Sequence, residues 1–337
     1  MRTVAVHGNN GFARRWPACA EDLGLVVRRV DAFSPKLWDD LAGCDAFLWS
    51  LNHESRVDME FGKNILWSLE SHGLKVFPNH ATAWHFDDKV AQHFHLSGLG
   101  IPMPSAWLFT DKTDALRFAD HVQYPIVFKL KRGAGAMNVC LVRDNKHAKR
   151  LIRLMFSRGV RTQPVGETAL RALGRGAGVS SSRASLLSRG RRAASRLLAK
   201  WLDADRDRGY VFFQEFIPGN THDTRVTIIG QRAFTFERQN RQGDFRASGS
   251  GHVRYPEPNE VPLDMVGLAF AVCEKLKAQC LAFDFVRDIS GKPLILEISF
   301  SFKAAVVEKC PGYFDSSLCW HPDSPPPEEL MLRDLFG

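Results

Sequence analysis

Two apolar segments near the C-terminus, LAFDFV and LILEI, constrain the fold of this chain more than any other feature. Each carries one acidic residue, Asp284 in the first and Glu297 in the second. A short polar stretch, RDISGK, joins them, and this pattern is typical of a β-hairpin. If Ser290 and Gly291 form a two-residue turn, Asp284 lies directly opposite Glu297 on the neighbouring strand.

This pairing places two negative charges side by side on otherwise apolar strands. Like charges directly opposite each other destabilise a sheet, and burying them unpaired costs more. A divalent cation between the carboxylates removes the conflict, and Mg²⁺ is commonly held by one or two carboxylates together with substrate phosphates. The hairpin therefore predicts a magnesium site. The alternative is that one acid is exposed or pairs with Arg287.

The stretch PIVFKLKRGAGAMNV, residues 125–139, predicts a phosphate-binding segment. Lys129 ends an apolar run and precedes Gly133 and Gly135, whereas in a P-loop the lysine follows the glycines. The order suits a hairpin whose lysine reaches one phosphate while backbone N–H groups of the loop approach others. Glycine allows that approach because it lacks a Cβ. The alternative is a structural lysine beside a glycine turn.

The order of predicted elements indicates three regions. An alternation of strands and helices over residues 1–80 predicts an N-terminal α/β domain with a parallel sheet. A central lobe is expected over 81–215, opening with one helix for which Thr82 is a plausible N-cap. A C-terminal lobe over 216–337 holds a hairpin around Gly230 and the two acid-bearing strands.

Positive charge is concentrated in one basic insert, residues 158–209. Within it, residues 158–200 hold ten lysines and arginines and one acid, Glu167, whereas the whole chain has a net charge of +8. The remainder is close to neutral, so no nucleic-acid partner is expected. The insert predicts a loop and a basic amphipathic helix, which either contacts an anionic membrane surface or an acidic glycan, or packs on its own protein.

Cysteine usage and hydropathy indicate a compartment. The seven cysteines show no metal-ligand spacing, which favours free thiols in a reducing environment. The N-terminus lacks the apolar region of a signal peptide, and no window is long enough for a membrane span. We therefore expect a cytoplasmic protein, with peripheral contact to the inner membrane through the insert as an open alternative.

With these motifs in this order, the chain resembles the ATP-grasp superfamily from about residue 76 to the C-terminus. The segment FPNHATAWHFDDKVAQHFHLSGLGIPMP is similar to the one that carries the family's first phosphate lysine, here Lys89. YPIVFKLKRGAGAMNV is similar to the one with the second, Lys129, and its mobile glycine loop, with Asn138 where glycine is frequent. The resemblance implies an α/β fold with an N-terminal lobe, a central mobile lobe and a C-terminal lobe, and ATP and Mg²⁺ as cofactors.

The resemblance also implies an adenine-binding hinge in FFQEFIPG. By that match Gln214 and Glu215 accept hydrogen bonds from the adenine amino group. The backbone of Phe216 and Ile217 addresses the edge of the ring.

Further matches imply the reacting groups. HDTRVTIIG resembles the strand whose arginine, here Arg225, faces the transferred phosphoryl group. RQGDFRASGSG is similar to a stretch of ribosomal-protein glutamate ligases, in which an arginine, here Arg246, faces the acyl phosphate. The metal ligands implied are Asp284, Glu297 and, where the family usually has asparagine, Ser299.

The implied function is an ATP-dependent carboxylate–amine ligase that forms an amide through an acyl phosphate. The motifs look most like a branch associated with bacterial surface-polysaccharide biosynthesis, which implies a carboxylated sugar or glycan precursor as one substrate. Relatives of this kind are commonly homodimers. Two alternatives stay open: a phosphotransferase of the same fold, and a polyanion-binding protein that acts through the basic insert.

Overall fold

The computed structural model describes residues 1–133, 138–161, 206–241 and 243–337. Gly135 and most of the basic insert therefore lie outside the described residues. In the part of the chain that is described, no helix combines the length and the apolar character needed to cross a bilayer.

The chain forms two compact units. Unit 1 combines Met1–Pro104 with Ile217–Gly337, and unit 2 is Ser105–Phe216. Unit 1 thus contains both ends of the chain, and the division into three lobes stays a prediction.

The N-terminal part of unit 1 is a parallel four-stranded sheet with helices, as the strand–helix alternation predicted. The buried run Ala46–Trp49 is hydrogen-bonded on both sides, which explains its unbroken apolar character. The strands, in the spatial order β2-β1-β3-β4, are β1 (Thr3–His7), β2 (Val26–Arg29), β3 (Ala46–Trp49) and β4 (Lys75–Phe77). The helices are a 3₁₀ turn (Gly11–Arg14), α1 (Trp16–Asp22), α2 (Leu37–Asp40), a π-helical turn (Asp58–Gly62), α3 (Lys63–Ser71), α4 (His80–Ala83) and α5 (Lys89–Gly98).

The single helix predicted from Thr82 is wrong: the segment forms two helices. Asn79 caps α4 by accepting from the Thr82 N–H, and Asp88 caps α5 by accepting from the Ala91 N–H at 2.9 Å. Thr82 is buried, and its hydroxyl accepts from the backbone N–H of Gln279. A second capping aspartate in the middle of the segment restarts the helix immediately before Lys89.

Unit 2 is an antiparallel four-stranded sheet, with its own apolar core, together with two helices. The strands, in the order β5-β10-β6-β7, are β5 (Ala106–Phe109), β6 (Ile126–Lys129), β7 (Cys140–Val142) and β10 (Val211–Glu215). The helices are α6 (Lys112–His121) and α7 (Asn145–Met155), and a short separate pair consists of β8 (Val160–Arg161) and β9 (Arg206–Asp207).

The C-terminal part of unit 1 is a seven-stranded antiparallel sheet. The predicted hairpin around Gly230 is confirmed, since Ile229 lies opposite Arg232 across a two-residue turn. The strands are β11 (His222–Ile229), β12 (Arg232–Gln239), β13 (Val253–Arg254), β14 (Cys280–Arg287), β15 (Pro293–Ser299), β16 (Tyr313–Asp315) and β17 (Trp320–His321), in the order β15-β14-β11-β12-β16-β17 with β13 on β12. The helices are a 3₁₀ turn (Pro258–Glu260), α8 (Leu263–Leu276), α9 (Ala304–Val307) and α10 (Pro327–Phe336).

Candidate functional site

The two acids of the C-terminal hairpin do face each other. Asp284 of β14 lies directly opposite Glu297 of β15. Seven of the eight residues of β14 are buried, so Asp284 sits in a strand that is apolar on both sides. The central expectation from the sequence, two carboxylates side by side in the sheet, is confirmed.

The turn that was used to predict this pairing is wrong. The loop has three residues, Ile289–Gly291, closed by Asp288 opposite Lys292, and Gly291 takes the positive φ of +84° that such a loop needs. This loop alone would shift the register by one residue. A β-bulge at Leu296 shifts it back before Asp284.

Arg225 continues the row of charges onto a third strand. It lies in β11 directly opposite Asp284, so Glu297, Asp284 and Arg225 are consecutive cross-strand neighbours on one face of the sheet. The Arg225 guanidinium donates from Nε and Nη2 to both oxygens of the Asp284 carboxylate, at 2.7 and 2.9 Å. This fork-on-carboxylate geometry is the strongest form of the pair.

A second arginine, Arg238, contacts the same carboxylate. Its Nη2 lies 2.7 Å from Asp284 Oδ2, and its Nε and Nη2 donate to the two oxygens of Asp223 at 2.7 and 2.5 Å. Arg225, Asp284, Arg238 and Asp223 thus form a continuous chain of alternating charge, which we call the arginine–aspartate network. Its formal charge is zero, and all four side chains are less than 20% exposed.

The network determines the ionisation of its carboxyl groups. Burial opposes charge on Asp284, but the guanidinium groups of Arg225 and Arg238 outweigh burial and hold the pKa of Asp284 well below its usual range. Burial, followed by the charge of Asp284, raises the pKa of Asp223, although Arg238 acts in the opposite direction. Asp284 is therefore the carboxylate that the two arginines stabilise most.

Lys89 supplies a cation to the other acid of the row. As the first residue of α5 it lies on the buried face of that helix, only 7% exposed, with Gln92 and Leu96. Its Nζ is 3.1 Å from Glu297 Oε1. Burial lowers the pKa of Lys89, but Glu297 and Asp87 more than reverse this and raise it above the ordinary value, so the side chain stays charged.

Gln92 fixes α5 against the hairpin strand that carries Glu297. Its side-chain oxygen accepts from the backbone N–H of Ile298 at 3.2 Å, and its side-chain nitrogen donates to the carbonyl of His85. A buried amide that is hydrogen-bonded to both a strand and a loop fixes the position of the helix relative to the sheet. Gln92 thereby places Lys89 beside Glu297.

Ser299, the proposed third metal ligand, is engaged with its own chain. Its hydroxyl donates to the carbonyl of Ser301 at 2.9 Å and accepts from the Ser301 N–H at 3.2 Å. A hydroxyl oxygen has two lone pairs, so one acceptor site remains. Ser299 is two residues beyond Glu297 and points to the same face of β15.

The carboxylate pair of Asp284 and Glu297 suits Mg²⁺. Asp284 and Glu297 present carboxylate oxygens on adjacent strands. The two arginines use both acceptor sites of Asp284 Oδ2, whereas Asp284 Oδ1 and the Glu297 oxygens keep lone pairs that a metal could use. These are the donors that Mg²⁺ prefers, and one or two carboxylates suffice when phosphates complete the shell. Within the described ranges, no group of three or more histidine, cysteine, aspartate or glutamate side chains forms a site by itself. The two carboxylates therefore fit a metal ion whose remaining ligands come from bound phosphate, and not one that is held by protein side chains alone.

Arg246, predicted to face the acyl phosphate, lies in the loop between β12 and β13. Its guanidinium donates from Nε and Nη2 to Asp244, at distances between 2.6 and 3.0 Å. Arg246 lowers the pKa of Asp244, so the pair is charged on both sides. Its side chain is about a third exposed and therefore accessible to a ligand.

The segment of unit 2 that was predicted to bind phosphate has the expected order of a strand, a lysine and a glycine. Lys129 is the last residue of β6 and is buried, opposite Phe212. Gly133 follows with a φ of +118°, and Asn138 has a φ of +58°. The left-handed conformation of Asn138 explains why glycine is frequent at that position of the motif.

The predicted adenine hinge begins at the end of β10. Gln214 is buried, and Glu215 pairs with Ser105 through two contacts: its N–H donates to the Ser105 carbonyl, and its carboxylate accepts from the Ser105 N–H. Phe216 is the last residue of unit 2 and Ile217 the first of the second segment of unit 1. Their roles towards adenine stay predictions.

Sequence reasoning missed Asp223, Arg238 and Gln92. A signal for the first two was present, because a two-residue turn at Gly230 places Asp223 opposite Arg238 by simple counting, as observed. Gln92 had no such signal, since its partner on the sheet, the N–H of Ile298, is 206 residues away along the chain.

Comparisons with solved structures establish the fold. The RimK domain ATP-grasp protein from Sphaerobacter thermophilus matches with a TM-score of 0.57 and 16% identity over 99% of both chains. D-cycloserine synthetase matches with a TM-score of 0.59 and 12% identity over 100% of this chain and 99% of the other. The ATP complex of D-alanine–D-alanine ligase from Bacillus anthracis matches with 0.52 and 15% over 89% and 86%.

No family model and no curated protein matches the sequence. At these identities the likeness shows the fold, which is that of ATP-grasp enzymes, as the sequence motifs implied.

Proposed function

We propose that the protein is an ATP-dependent carboxylate–amine ligase. One observation carries the proposal: Arg225, Asp284 and Glu297 form a row across three strands, and Lys89 closes it from α5. Cations and carboxylates packed together in a sheet suit a ligand that brings both phosphate and metal. The structural neighbours D-cycloserine synthetase and D-alanine–D-alanine ligase support the same reaction class.

The proposed reaction has two steps. A substrate carboxylate oxygen attacks the γ-phosphorus of ATP, the bond to the bridging oxygen breaks, and ADP leaves with an acyl phosphate formed. An amine nitrogen then attacks the acyl carbon, loses a proton, and inorganic phosphate leaves with its bonding electrons. Neither step needs a covalent bond to the protein, so catalysis would come from positioning and charge neutralisation.

The chain's own cations would do most of this work. Lys89 and Lys129 would bind phosphates of ATP, and Arg225 would contact the transferred phosphoryl group. Arg246 would stabilise the negative charge of the acyl phosphate and of its tetrahedral successor. The loop from Gly133 would bring backbone N–H groups close to phosphate.

Asp284 and Glu297 would hold Mg²⁺, with Ser299 as a weaker third donor through its remaining lone pair. A bound Mg²⁺ would neutralise phosphate charge and fix the triphosphate in place. Lys89 Nζ lies 3.1 Å from Glu297 Oε1, so a triphosphate that attracts Lys89 would also release this oxygen for the metal. The residues of the row are thus arranged to receive phosphate and metal together.

The substrate class is a narrower proposal that rests on the sequence resemblance. It names a carboxylated sugar or glycan precursor of a bacterial surface polysaccharide as the acid. Contact of the basic insert with an anionic membrane or an acidic glycan, a cytoplasmic location peripheral to the inner membrane, and a homodimer stay predictions. The polyanion-binding alternative depends on residues 158–200, most of which lie outside the described ranges.

The test is ATP binding and turnover with Mg²⁺ across a panel of uronic acids, amino acids and amines. We expect ADP release that requires both an acid and an amine and is lost in Glu297→Gln. Glu274→Gln, on the exposed side of α8, is the matched control and keeps full turnover. Absence of ATP binding in the unmodified protein contradicts the proposal.

The same assay separates the ligase from the phosphotransferase. A kinase transfers the phosphoryl group to a single acceptor and retains it there, whereas the ligase releases free phosphate. Turnover that needs one acceptor, with phosphate retained in the product, establishes the kinase.

A further inference from the structure

If the proposed function is correct, Arg225 contacts two different groups, the carboxylate of Asp284 and the transferred phosphoryl group. It is hydrogen-bonded through two nitrogens to Asp284, and it is the residue proposed to contact the transferred phosphoryl group. Asp284 is buried, with a side chain only 9% exposed. A buried carboxylate that loses its counter-ion is strongly destabilising. Before Mg²⁺ binds, Arg225 can turn to phosphate only if another cation of the chain stays with Asp284.

Arg238 is placed to be that cation. Its Nη2 lies 2.7 Å from Asp284 Oδ2, and this contact is independent of Arg225 because the two arginines approach from different strands. Arg238 is also more buried than Arg225, with a side-chain exposure of 11% against 19%. The less exposed of the two arginines is the one less accessible to a ligand.

Asp223 keeps Arg238 in this position. It lies directly opposite Arg238 in the β11–β12 hairpin and accepts from both Nε and Nη2. The Nη2 group of Arg238 therefore bridges Asp223 and Asp284. A planar guanidinium can make these contacts at once, whereas a lysine ammonium acts as a point charge.

We propose that Arg238, held by Asp223, is the permanent counter-ion of Asp284, and that this arrangement frees Arg225 to bind the transferred phosphoryl group. Arg238 and Asp223 are positioning residues, since they act through Asp284 and Arg225. The part that concerns phosphate rests on the proposed function. The division of roles between the two arginines is a property of the free protein.

The experiment follows the two arginines separately by ¹⁵N–¹H NMR of their Nε–Hε groups, with and without a non-hydrolysable ATP analogue and Mg²⁺. In the unmodified protein we expect the Arg225 resonance to shift on addition of the analogue and that of Arg238 to stay in place. A shift of Arg238 with Arg225 unchanged overturns the proposal.

Three variants test whether the response of Arg225 to the analogue depends on Arg238 and Asp223. In Arg238→Gln without Mg²⁺, Arg225 is the one cation of the described residues left on Asp284, so its resonance no longer responds and affinity for the analogue, by calorimetry, falls roughly 10- to 100-fold, the range typical for partners of ligating groups. Arg238→Lys restores part of the affinity, and Asp223→Asn gives a smaller loss. Thermal unfolding checks that each variant folds. If Arg238→Gln does not fold, the other two carry the test.

Arg254→Gln is the matched control. Arg254 makes the same two-nitrogen contact with a carboxylate, that of Glu237, on the neighbouring strand pair. We expect its affinity to stay within about twofold of the unmodified protein. Equal affinity of Arg238→Gln and Arg254→Gln contradicts the proposed role.

Failure of the proposed function and failure of the roles proposed for the two arginines give different results. If the unmodified protein does not bind the analogue, the function fails, and spectra of the free protein then decide the inference. As the only counter-ion left to Asp284, Arg225 should exchange its Hε with solvent severalfold more slowly in Arg238→Gln. An unchanged exchange rate overturns the division of roles.

Discussion

The two faces of strand β12 carry the same chemistry in different surroundings. Arg238 contacts Asp223 and Asp284 on one face, and the adjacent Glu237 contacts Arg254 on the other, because successive residues of a strand point to opposite sides. Both contacts are arginine forks on a carboxylate. Both members of the Arg238–Asp223 pair are buried, at 11% and 9% exposure. In the other pair only Glu237 is buried, at 11%, whereas Arg254 is 47% exposed and also reaches Glu260 at 2.9 Å.

The difference between the two faces shows that burial determines how strongly each charge of such a pair depends on its partner. On the Arg254 face, the exposed guanidinium keeps its hydration when its partner is lost, and the buried Glu237 also lies 3.7 Å from His222, so this pair depends less on a single contact. On the Arg238 face, each charge depends on its partners, and the network holds a carboxylate ionised in an apolar strand. Only a buried network of this kind can keep a site arranged before its ligand arrives.

The largest expected effect is on the buried face. Arg238→Met leaves Asp223 without its partner and Asp284 with one cation, so we expect the free energy of unfolding to fall by about 3–5 kcal/mol. Urea unfolding at pH 7 measures it. The double variant Asp223→Leu/Arg238→Met removes both charges and should recover part of the loss. A single-variant loss below about 1 kcal/mol would remove the distinction between the two faces.

His85 extends the comparison to a buried group that is held neutral, whereas the charged groups around Arg238 are held by opposite charges. Neither ring nitrogen of His85 makes a hydrogen bond of ordinary geometry to a described residue, and burial, followed by His95 and Lys63, lowers its pKa to about 3. The unfolded chain therefore binds one more proton than the folded protein between about pH 6.5 and pH 3. Stability should fall with falling pH in that window by about 1.4 kcal/mol per unit.

Unfolding of the protein and of His85→Leu at pH 7 and pH 4.5 measures the His85 contribution. Carboxyl groups titrate in both proteins, so the difference between the two proteins isolates His85. Its contribution should reach roughly 2.5 kcal/mol at pH 4.5. Parallel pH profiles for the two proteins would show that His85 is not held neutral.

An intermediate effect is expected at Lys89, whose partner Glu297 is 31% exposed. Lys89→Met keeps the alkyl packing and leaves Glu297 partly hydrated, so we expect a loss of about 2 kcal/mol in the free energy of unfolding. Lys75→Met is the control, because Lys75 is exposed, and the contacts of its ammonium group include the carbonyl of Leu335 and the ring of Phe336 but no carboxylate among the described residues. Equal losses in the two variants would count against a special environment for Lys89.

The smallest effect is expected at the exposed guanidinium of Arg254. Arg254→Gln should lower the free energy of unfolding by about 1 kcal/mol, because the glutamine amide can still donate to the buried Glu237, and the part that comes from the exposed Glu260 should shrink in 0.5 M salt. The same urea titration as for Arg238→Met measures it. A loss as large as that of Arg238→Met would mean that burial is not the deciding factor.

Local patterns predicted most of the elements, and the exceptions have physical reasons. The hairpin around Gly230 follows from a two-residue turn, and the same counting would have shown Asp223 opposite Arg238. In the second hairpin the pairing of Asp284 with Glu297 was correct although the turn was wrong, because a three-residue loop and a β-bulge shift the register in opposite directions. Counting from a turn is reliable only when both strands are regular.

The sequence predicted which residues form the candidate site but not which of them contact one another. Lys89, Arg225, Asp284 and Glu297 were identified from motifs, and a metal was expected to resolve the meeting of two acids. The structure shows that cations of the chain already compensate both acids, through Arg225 for Asp284 and Lys89 for Glu297. Arg225 and Asp284 lie 59 residues apart in strands that no single turn joins, so no local pattern could reveal their pairing.

The sequence by itself determined the secondary structure of most segments, the two hairpins and the residue types available to bind phosphate and metal. These follow from side-chain periodicity and turn chemistry, which act over a few residues. The tertiary structure decided which charges meet: the order of strands β15-β14-β11-β12 joins two hairpins, and Gln92 fixes α5 over β15. Strand order and helix placement depend on burying one shared apolar core, and that is a property of the whole chain.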